Sequence, residues 1–132
     1  MNKREAVALA SYRMERSRES LRAAQIMFEN NMLTFSMNRI YYAMFYGVQA
    51  LLATREVSIS KHGQVKAYFN REMVKTGVFP TAMGQLYNKA FEYRQKFDYW
   101  TFPPLITRWS CNTWKKRERD FIDRIEAYLG KA

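Results

Sequence analysis

The segment SMNRIYYAMFYGVQALL, residues 36–52, decides the fold class because its apolar side chains recur with the period of an α-helix. The predicted helix, residues 32–55, is apolar on most sides, which is typical of a central helix covered by several neighbours. Its broad apolar face consists of Leu33, Met37, Ile40, Tyr41, Met44, Phe45, Val48, Leu51 and Leu52. We therefore predict an all-α fold, and we expect a second copy of the chain to cover part of this helix in a homodimer.

A second stripe on the same helix is polar and aromatic. Arg39, Tyr42, Tyr46 and Gln49 follow one another at spacings of three, four and three residues, so they share one side of the helix. We therefore treat Arg39 and Tyr42 as secondary ligand-binding candidates.

The rest of the chain also follows helical periods. A first helix is predicted over residues 4–30, a short third helix after the loop 56–63, a fourth helix after Thr81 and a fifth over residues 107–129. All three prolines, Pro80, Pro103 and Pro104, lie where these patterns break. These elements predict one domain, residues 1–132, folded as an up-and-down bundle of four long helices plus a short helix. The charged run KKRER, residues 115–119, is predicted on the outer side of the fifth helix.

The charge balance indicates a polyanionic partner. The chain of 132 residues has 22 Lys and Arg against 12 Asp and Glu, for a formal net charge of +10. An excess of this size favours nucleotides or RNA as ligands, although a basic surface alone does not identify one.

The composition also indicates a compartment. The single cysteine, Cys111, cannot form an internal disulfide, which fits a reducing cytosol. No secretion signal is visible, and the longest apolar stretch, residues 40–53, is shorter than a membrane span and is interrupted by Gly47 and Gln49. We expect a cytoplasmic protein that does not associate with a membrane.

Common catalytic and cofactor motifs are absent from the sequence. His62 is the only histidine, so neither a Glu-x-x-His di-iron site nor a zinc site can be assembled from His and Cys. Neither a phosphate-binding P-loop nor a dinucleotide-binding glycine motif occurs. We expect no metal and no cofactor.

Arg94 is an exception to the apolar seam of the fourth helix. The helical period places it on the same side as Met83, Tyr87 and Ala90. A charge on such a seam needs a partner or a wet cleft. Asp98, four residues on, could pair with Arg94 and simply close the helix. Alternatively, Arg94 lines a cleft and binds a phosphate.

Three segments together resemble the HEPN domain family. They are SMNRIYYAMFYGVQALL (residues 36–52), SKHGQVKAYFNREMVKTG (residues 60–77) and KAFEYRQKFDY (residues 89–99). The resemblance implies a helical bundle that dimerises and acts in RNA-targeted defence or toxin–antitoxin systems. It also implies a minimal nucleotidyltransferase as a possible partner protein.

The ribonuclease motif of that family is incomplete in this chain. Ribonuclease members have an arginine followed a few residues later by a histidine, and they cleave RNA without metal. Arg94 matches the arginine, but Tyr99, Trp100 and Thr101 occupy the following positions, and no histidine follows His62. Because histidine is the usual group for proton transfer near neutral pH, the fold transfers from the family and the catalysis does not.

The sequence therefore favours a nucleotide- or RNA-binding HEPN protein of weak or absent catalytic activity, one half of a two-component system. Arg94, Asp98, Tyr99, Arg39 and Tyr42 are its predicted ligand-binding residues. No residue is assigned as catalytic. The alternative is an active ribonuclease toxin in which Arg94 acts with Tyr99 or with His62, so Arg94, Asp98, Tyr99 and His62 are the catalytic candidates. A third interpretation is a non-catalytic module that only binds a partner protein.

Overall fold

The computed structural model describes residues 2–99 and 106–130, except for the side chains of residues 97–99. Its helices are α1 (Lys3–Glu29), α2 (Leu33–Thr54), α3 (His62–Tyr68), α4 (Thr81–Tyr99) and α5 (Arg108–Gly130). A π-helical segment, Phe69–Val74, continues α3. The described residues include no strand, and the predicted all-α bundle of four long helices plus a short third helix is confirmed.

Helices α1 and α2 form an antiparallel hairpin with small polar residues at its interface. The Ser17 hydroxyl donates to the Ala43 carbonyl at 2.6 Å, and the Ser36 hydroxyl donates to the Ala24 carbonyl at 2.7 Å. Both serines are buried, and each hydroxyl is satisfied by the backbone of the opposite helix. The connecting turn includes Asn31 in the left-handed region, with a φ of 59°.

Helix α2 is covered by other helices of the same chain. It packs mainly against α1 and α5, with further contacts to α3 and α4. Apart from the half-buried Leu33, the side chains of its broad apolar face are all buried. A second chain is therefore not needed to cover this face, and the homodimer stays a prediction. Neither α2 nor any other helix among the described residues has the length and apolar character required to cross a bilayer.

The charged run of residues 115–119 does not lie wholly on the outer side of α5, as the sequence predicted. Glu118 is 0% exposed. The helical period explains this, because Glu118 follows Trp114 by four residues and precedes Phe121 by three, and both of these side chains are buried. Helix α5 packs against α2, and the buried residues on either side of Glu118 belong to the hydrophobic core of the bundle.

The Glu118 carboxyl is an energetically unfavourable buried group. Neither of its oxygens has a hydrogen-bond partner among the described residues. Burial raises the pKa of Glu118 well above its usual value, and the nearby charges of Lys115 and Arg119 only partly oppose this rise. The carboxyl group is therefore held in its neutral form over a wider pH range than in an unfolded chain.

The π-helical segment is fastened to α4 by a pair of asparagines. The side-chain amide of Asn70 donates to Asn88 at 2.8 Å and to the Lys66 carbonyl at 2.9 Å. Gly84 of α4 lies directly against this segment. A Cβ atom at position 84 would lie 2.8 Å from Asn70 Oδ1 and 3.2 Å from both methyl carbons of Val74.

We expect the Gly84→Ala substitution to destabilise the fold by about 1–3 kcal/mol, because the new methyl group would displace a hydrogen-bonded side chain and a stiff branched one. Gly63→Ala is the matched control, since a Cβ there meets nothing within 4 Å. Urea unfolding measures both changes. Equal stability of the two variants would show that α4 can move away from the π-helical segment without cost.

Candidate functional site

Tyr41 lies at the centre of the candidate site, where α2, α3 and α4 meet. It is 1% exposed, and its hydroxyl is 2.8 Å from Nδ1 of His62. The ring of Tyr87, from α4, stacks on it with 6.2 Å between ring centroids. Burial raises the pKa of Tyr87 well above its usual value, so this neighbour is a neutral phenol at physiological pH. Because a buried tyrosine hydroxyl needs a polar partner, the Tyr41–His62 contact fixes the position of the imidazole.

His62 is held by aromatic rings as well as by this hydrogen bond. It is the first residue of α3 and is half-buried. Its imidazole stacks on Phe45 with 4.1 Å between centroids and 7° between planes. The loop that leads to it is fixed on α2, because the Gln49 side-chain amide donates to the Ile59 carbonyl at 2.9 Å. Few orientations are therefore open to this histidine.

Two arginines contact the same tyrosine ring at the edge of the site. The Arg94 Cζ atom lies 5.5 Å from the ring centroid of Tyr41 and 5.7 Å from that of Tyr42. The Arg39 Cζ atom lies 4.6 Å from the Tyr42 centroid. His62 also approaches Tyr42, edge to face at 5.8 Å. We call Arg39, Tyr41, Tyr42, His62 and Arg94 the Tyr41 cluster.

The aromatic stripe of α2 extends beyond this cluster towards α1. The rings of Tyr42 and Tyr46 are 6.1 Å apart, and both side chains are half-buried. Arg16 of α1 lies over Tyr46 at 5.2 Å and donates a 3.4 Å hydrogen bond to its hydroxyl. The hydrogen bond to Tyr46, followed by smaller contributions that include Tyr12, raises the pKa of Arg16. Arg16 and Tyr46 thus form a second cation–aromatic pair on this stripe, after Arg39 and Tyr42.

The structure brings four of the predicted site residues together. The guanidinium groups of Arg94 and Arg39 both lie near the ring of Tyr42, a contact that the sequence did not predict. His62, which sequence reasoning considered only as a catalytic alternative, joins them through Tyr41 and Tyr42. The side chains of Asp98 and Tyr99 lie outside the described residues, so the proposed Arg94–Asp98 pair stays a prediction.

Sequence reasoning assigned Tyr41 and Phe45 to the core and missed their part in the site. Both are buried, at 1% and 7% exposure, yet each contacts His62 directly. A signal was present, because a tyrosine on a buried helical face needs a partner for its hydroxyl. The only histidine of the chain was an available candidate for that partner.

A model of the HEPN domain matches residues 10–128, which is most of the chain. The chain belongs to the HEPN domain family. A second similarity agrees with this membership: a UPF0332 protein of Thermotoga maritima is 40% identical over 129 residues, covering 98% of this chain and 96% of that protein. The Tyr41 cluster therefore lies within the part of the chain that matches the HEPN domain.

Two proteins of Methanocaldococcus jannaschii, each named "Putative toxin", are also similar to this HEPN chain. One is 33% identical over 116 residues, which cover 88% of this chain and 85% of that protein. The other is 37% identical over 86 residues, which cover 65% of this chain and 58% of that protein. The word "toxin" in these names refers to those two archaeal proteins.

Proposed function

We propose that this HEPN domain protein binds phosphate groups of a nucleotide or of RNA at the Tyr41 cluster. The observation that best supports this proposal is that the guanidinium groups of Arg39 and Arg94 contact one ring, that of Tyr42. Each guanidinium keeps its positive charge at physiological pH, so two of them near one ring favour the binding of an anion. The planar fork of a guanidinium also matches the oxygens of a phosphate.

The surroundings of the two arginines suit a nucleic acid. Tyr42 and Tyr46 are half-buried rings on one stripe, and single-stranded nucleic acids stack their bases on such rings. Arg16, at the far end of the stripe, adds a third guanidinium beside an aromatic face. The formal net charge of +10 supports attraction of a polyanion from solution.

Fluorescence anisotropy of a labelled single-stranded RNA, titrated at several salt concentrations, tests this function. Binding should weaken steeply as salt rises, because phosphate binding releases counterions from the RNA. Affinity that does not change with salt would contradict phosphate recognition.

The biological role that we propose is one half of a toxin–antitoxin or defence system, with a minimal nucleotidyltransferase as partner. The two archaeal relatives named "Putative toxin" support this role. Co-purification of the chain with the product of an adjacent nucleotidyltransferase gene would test it.

We also propose that the protein forms a homodimer around Phe35, at the N-terminal end of the polar and aromatic stripe of α2. Phe35 precedes Arg39 by four residues and Tyr42 by seven, so it continues the same side of the helix. It is 60% exposed. Pairing two copies around Phe35 would cover that ring and bring two Tyr41 clusters close together.

We expect the Phe35→Glu variant to shift the protein from dimer to monomer at micromolar concentration, since a carboxylate at an apolar interface loses its hydration. The control is Val7→Glu, which introduces the same charge on α1 at a residue that is 58% exposed. Light scattering gives the mass of each variant. A monomeric wild type, or dimers of all three proteins, would count against this interface.

Metal-independent cleavage of RNA is a second candidate function. It is favoured by one observation, that His62 and Arg94 contact the same two tyrosine rings. In such a reaction His62 would accept the 2′-hydroxyl proton as that oxygen attacks phosphorus, and Arg94 would stabilise the added negative charge. The leaving 5′-oxygen needs a proton from a second group, which the corresponding histidine of a dimer partner could supply.

We expect cleavage of an RNA pool in EDTA to be slow or absent, because positioned acid–base groups contribute roughly 10²–10⁴-fold each and the family motif histidine is missing. Any activity should disappear in Arg94→Ala and His62→Ala and persist in Tyr99→Phe. Gel analysis of end-labelled RNA measures this. Rapid cleavage lost in Tyr99→Phe but kept in His62→Ala would instead make Tyr99 the proton-transfer residue.

A further inference from the structure

We propose that the groove between α4 and α5 docks an acidic amphipathic helix of a partner protein. The groove has a volume of about 710 Å³ and lies between the first half of α4 and the middle of α5. It shares no lining residue with the Tyr41 cluster. This inference therefore goes beyond the proposed phosphate site and does not depend on it.

Large aromatic side chains lie between α4 and α5. Tyr87 of α4 meets Phe121 of α5 with 6.0 Å between ring centroids, and Tyr93 meets Trp114 at 5.6 Å. Rings of this size prevent the two backbones from approaching as closely as those of α1 and α2 do. The space left between the helices is open to solvent along one side.

The floor of the groove is mainly aliphatic. Pro80 and Ala82 are exposed and Leu86 is half-buried, so these three supply most of its accessible apolar surface, whereas Met83 also lines the groove but is buried. The polar side chains of Gln85 and Asn88 line the groove as well. Phe121 is 1% exposed, so it presents little aromatic surface for stacking. A strand of nucleic acid binds through phosphates and stacked bases and gains little from an aliphatic floor, whereas leucine-type side chains of a helix fill such a groove.

The rim of the groove is positively charged. Lys89 and Arg117 lie on it and are exposed, and neither has a carboxylate partner among the described residues. Arg124 also lines the groove and pairs with Asp120 at 3.5 Å. Asp120 is the only acidic residue among the lining residues. An occupant with an apolar face flanked by carboxylates would match both the floor and the rim.

The test uses a fluorescein-labelled peptide held helical by a side-chain staple, with leucines on one face and glutamates beside them. Anisotropy titrations compare wild type with Arg117→Glu, which reverses a charge on the rim. Lys116→Glu is the matched control, since it makes the same change of charge one residue away, at an exposed position that does not line the groove. Ala82→Trp fills the floor from an exposed position, and thermal unfolding verifies that each variant is folded.

The expected result is micromolar binding of the peptide that is at least about 10-fold weaker with Arg117→Glu and Ala82→Trp and unchanged with Lys116→Glu. A peptide of the same composition in scrambled order should bind at least about 10-fold more weakly. Equal losses in Arg117→Glu and Lys116→Glu, or equal binding of the scrambled peptide, would overturn the proposal in favour of diffuse attraction. If oligouridine displaces the peptide, and the binding of oligouridine is lost in Arg117→Glu, the groove would be assigned to nucleic acid instead. If Arg117→Glu changes the mass of the dimer, the groove would be assigned to a second copy of the chain.

Discussion

Replacing Arg94 with alanine is expected to weaken the binding of single-stranded RNA by about 10- to 100-fold. A hydrogen bond to a charged group contributes about 1.5–3 kcal/mol, and each 1.4 kcal/mol corresponds to a factor of ten in affinity. The Arg94 guanidinium lies over two tyrosine rings, one of which Arg39 also contacts. Its loss removes one of the two forks that would bind the phosphate.

The control for this substitution must be an arginine on an open face. Arg22 of α1 is exposed, so Arg22→Ala should lower affinity by no more than about threefold, as loss of one surface charge. Arg18 is unsuitable, because it bridges Asp123 at 3.0 Å and Glu126 at 2.7 Å and fastens α1 to α5. Equal losses in Arg94→Ala and Arg22→Ala would leave only diffuse attraction between the protein and RNA.

The Glu118→Met substitution is expected to stabilise the protein at pH 8 by about 1–3 kcal/mol. Methionine keeps most of the side-chain volume and removes a buried carboxyl that has no hydrogen-bond partner among the described residues. This gain would be larger than that of most single substitutions in a folded domain.

The same group predicts how stability changes with pH. Because the pKa of Glu118 is higher in the folded protein than in the unfolded chain, folding retains a proton that the unfolded chain releases. Its contribution to stability is complete below the ordinary carboxyl pKa and is lost as pH rises towards the raised value. Wild type should therefore lose stability from about pH 5 upward, and Glu118→Met should show a smaller loss.

Urea unfolding at a series of pH values from 5 to about 9 measures both effects. Glu19→Met serves as the control, since Glu19 is exposed on α1. The free energy of unfolding of Glu19→Met should stay within about 0.5 kcal/mol of that of wild type. If Glu118→Met were less stable than wild type at pH 8, the buried carboxyl would be satisfied by a group that the described contacts do not include.

Much of the fold followed from local patterns in the sequence. The apolar period of residues 36–52 predicted a central helix, and α2 is indeed the most buried helix among the described residues. The same period placed Arg94 on the inner side of the fourth helix, and Arg94 is half-buried over Tyr41. Both conclusions depend on the geometry of one helix, which the order of its residues determines.

The contacts between helices could not be predicted in the same way. His62 and Tyr41 are 21 residues apart, and they meet because the loop before α3 folds back over Gln49. No periodic pattern encodes the path of that loop. The prediction for Glu118 was wrong for a different reason. The whole charged run was assigned to the surface because of its composition, although the helical period places Glu118 on the inner side of α5.

The central claim, that the Tyr41 cluster binds phosphate, is tested most directly by side-chain nuclear magnetic resonance. The Arg94 Nε and His62 ring resonances are followed while a short oligouridine is added, with Arg22 Nε as the internal reference. The predicted result is that the Arg94 and His62 resonances shift along one saturable curve while that of Arg22 hardly moves. Uniform shifts of all arginines, or unchanged Arg94 and His62 resonances at saturating RNA, would contradict the claim.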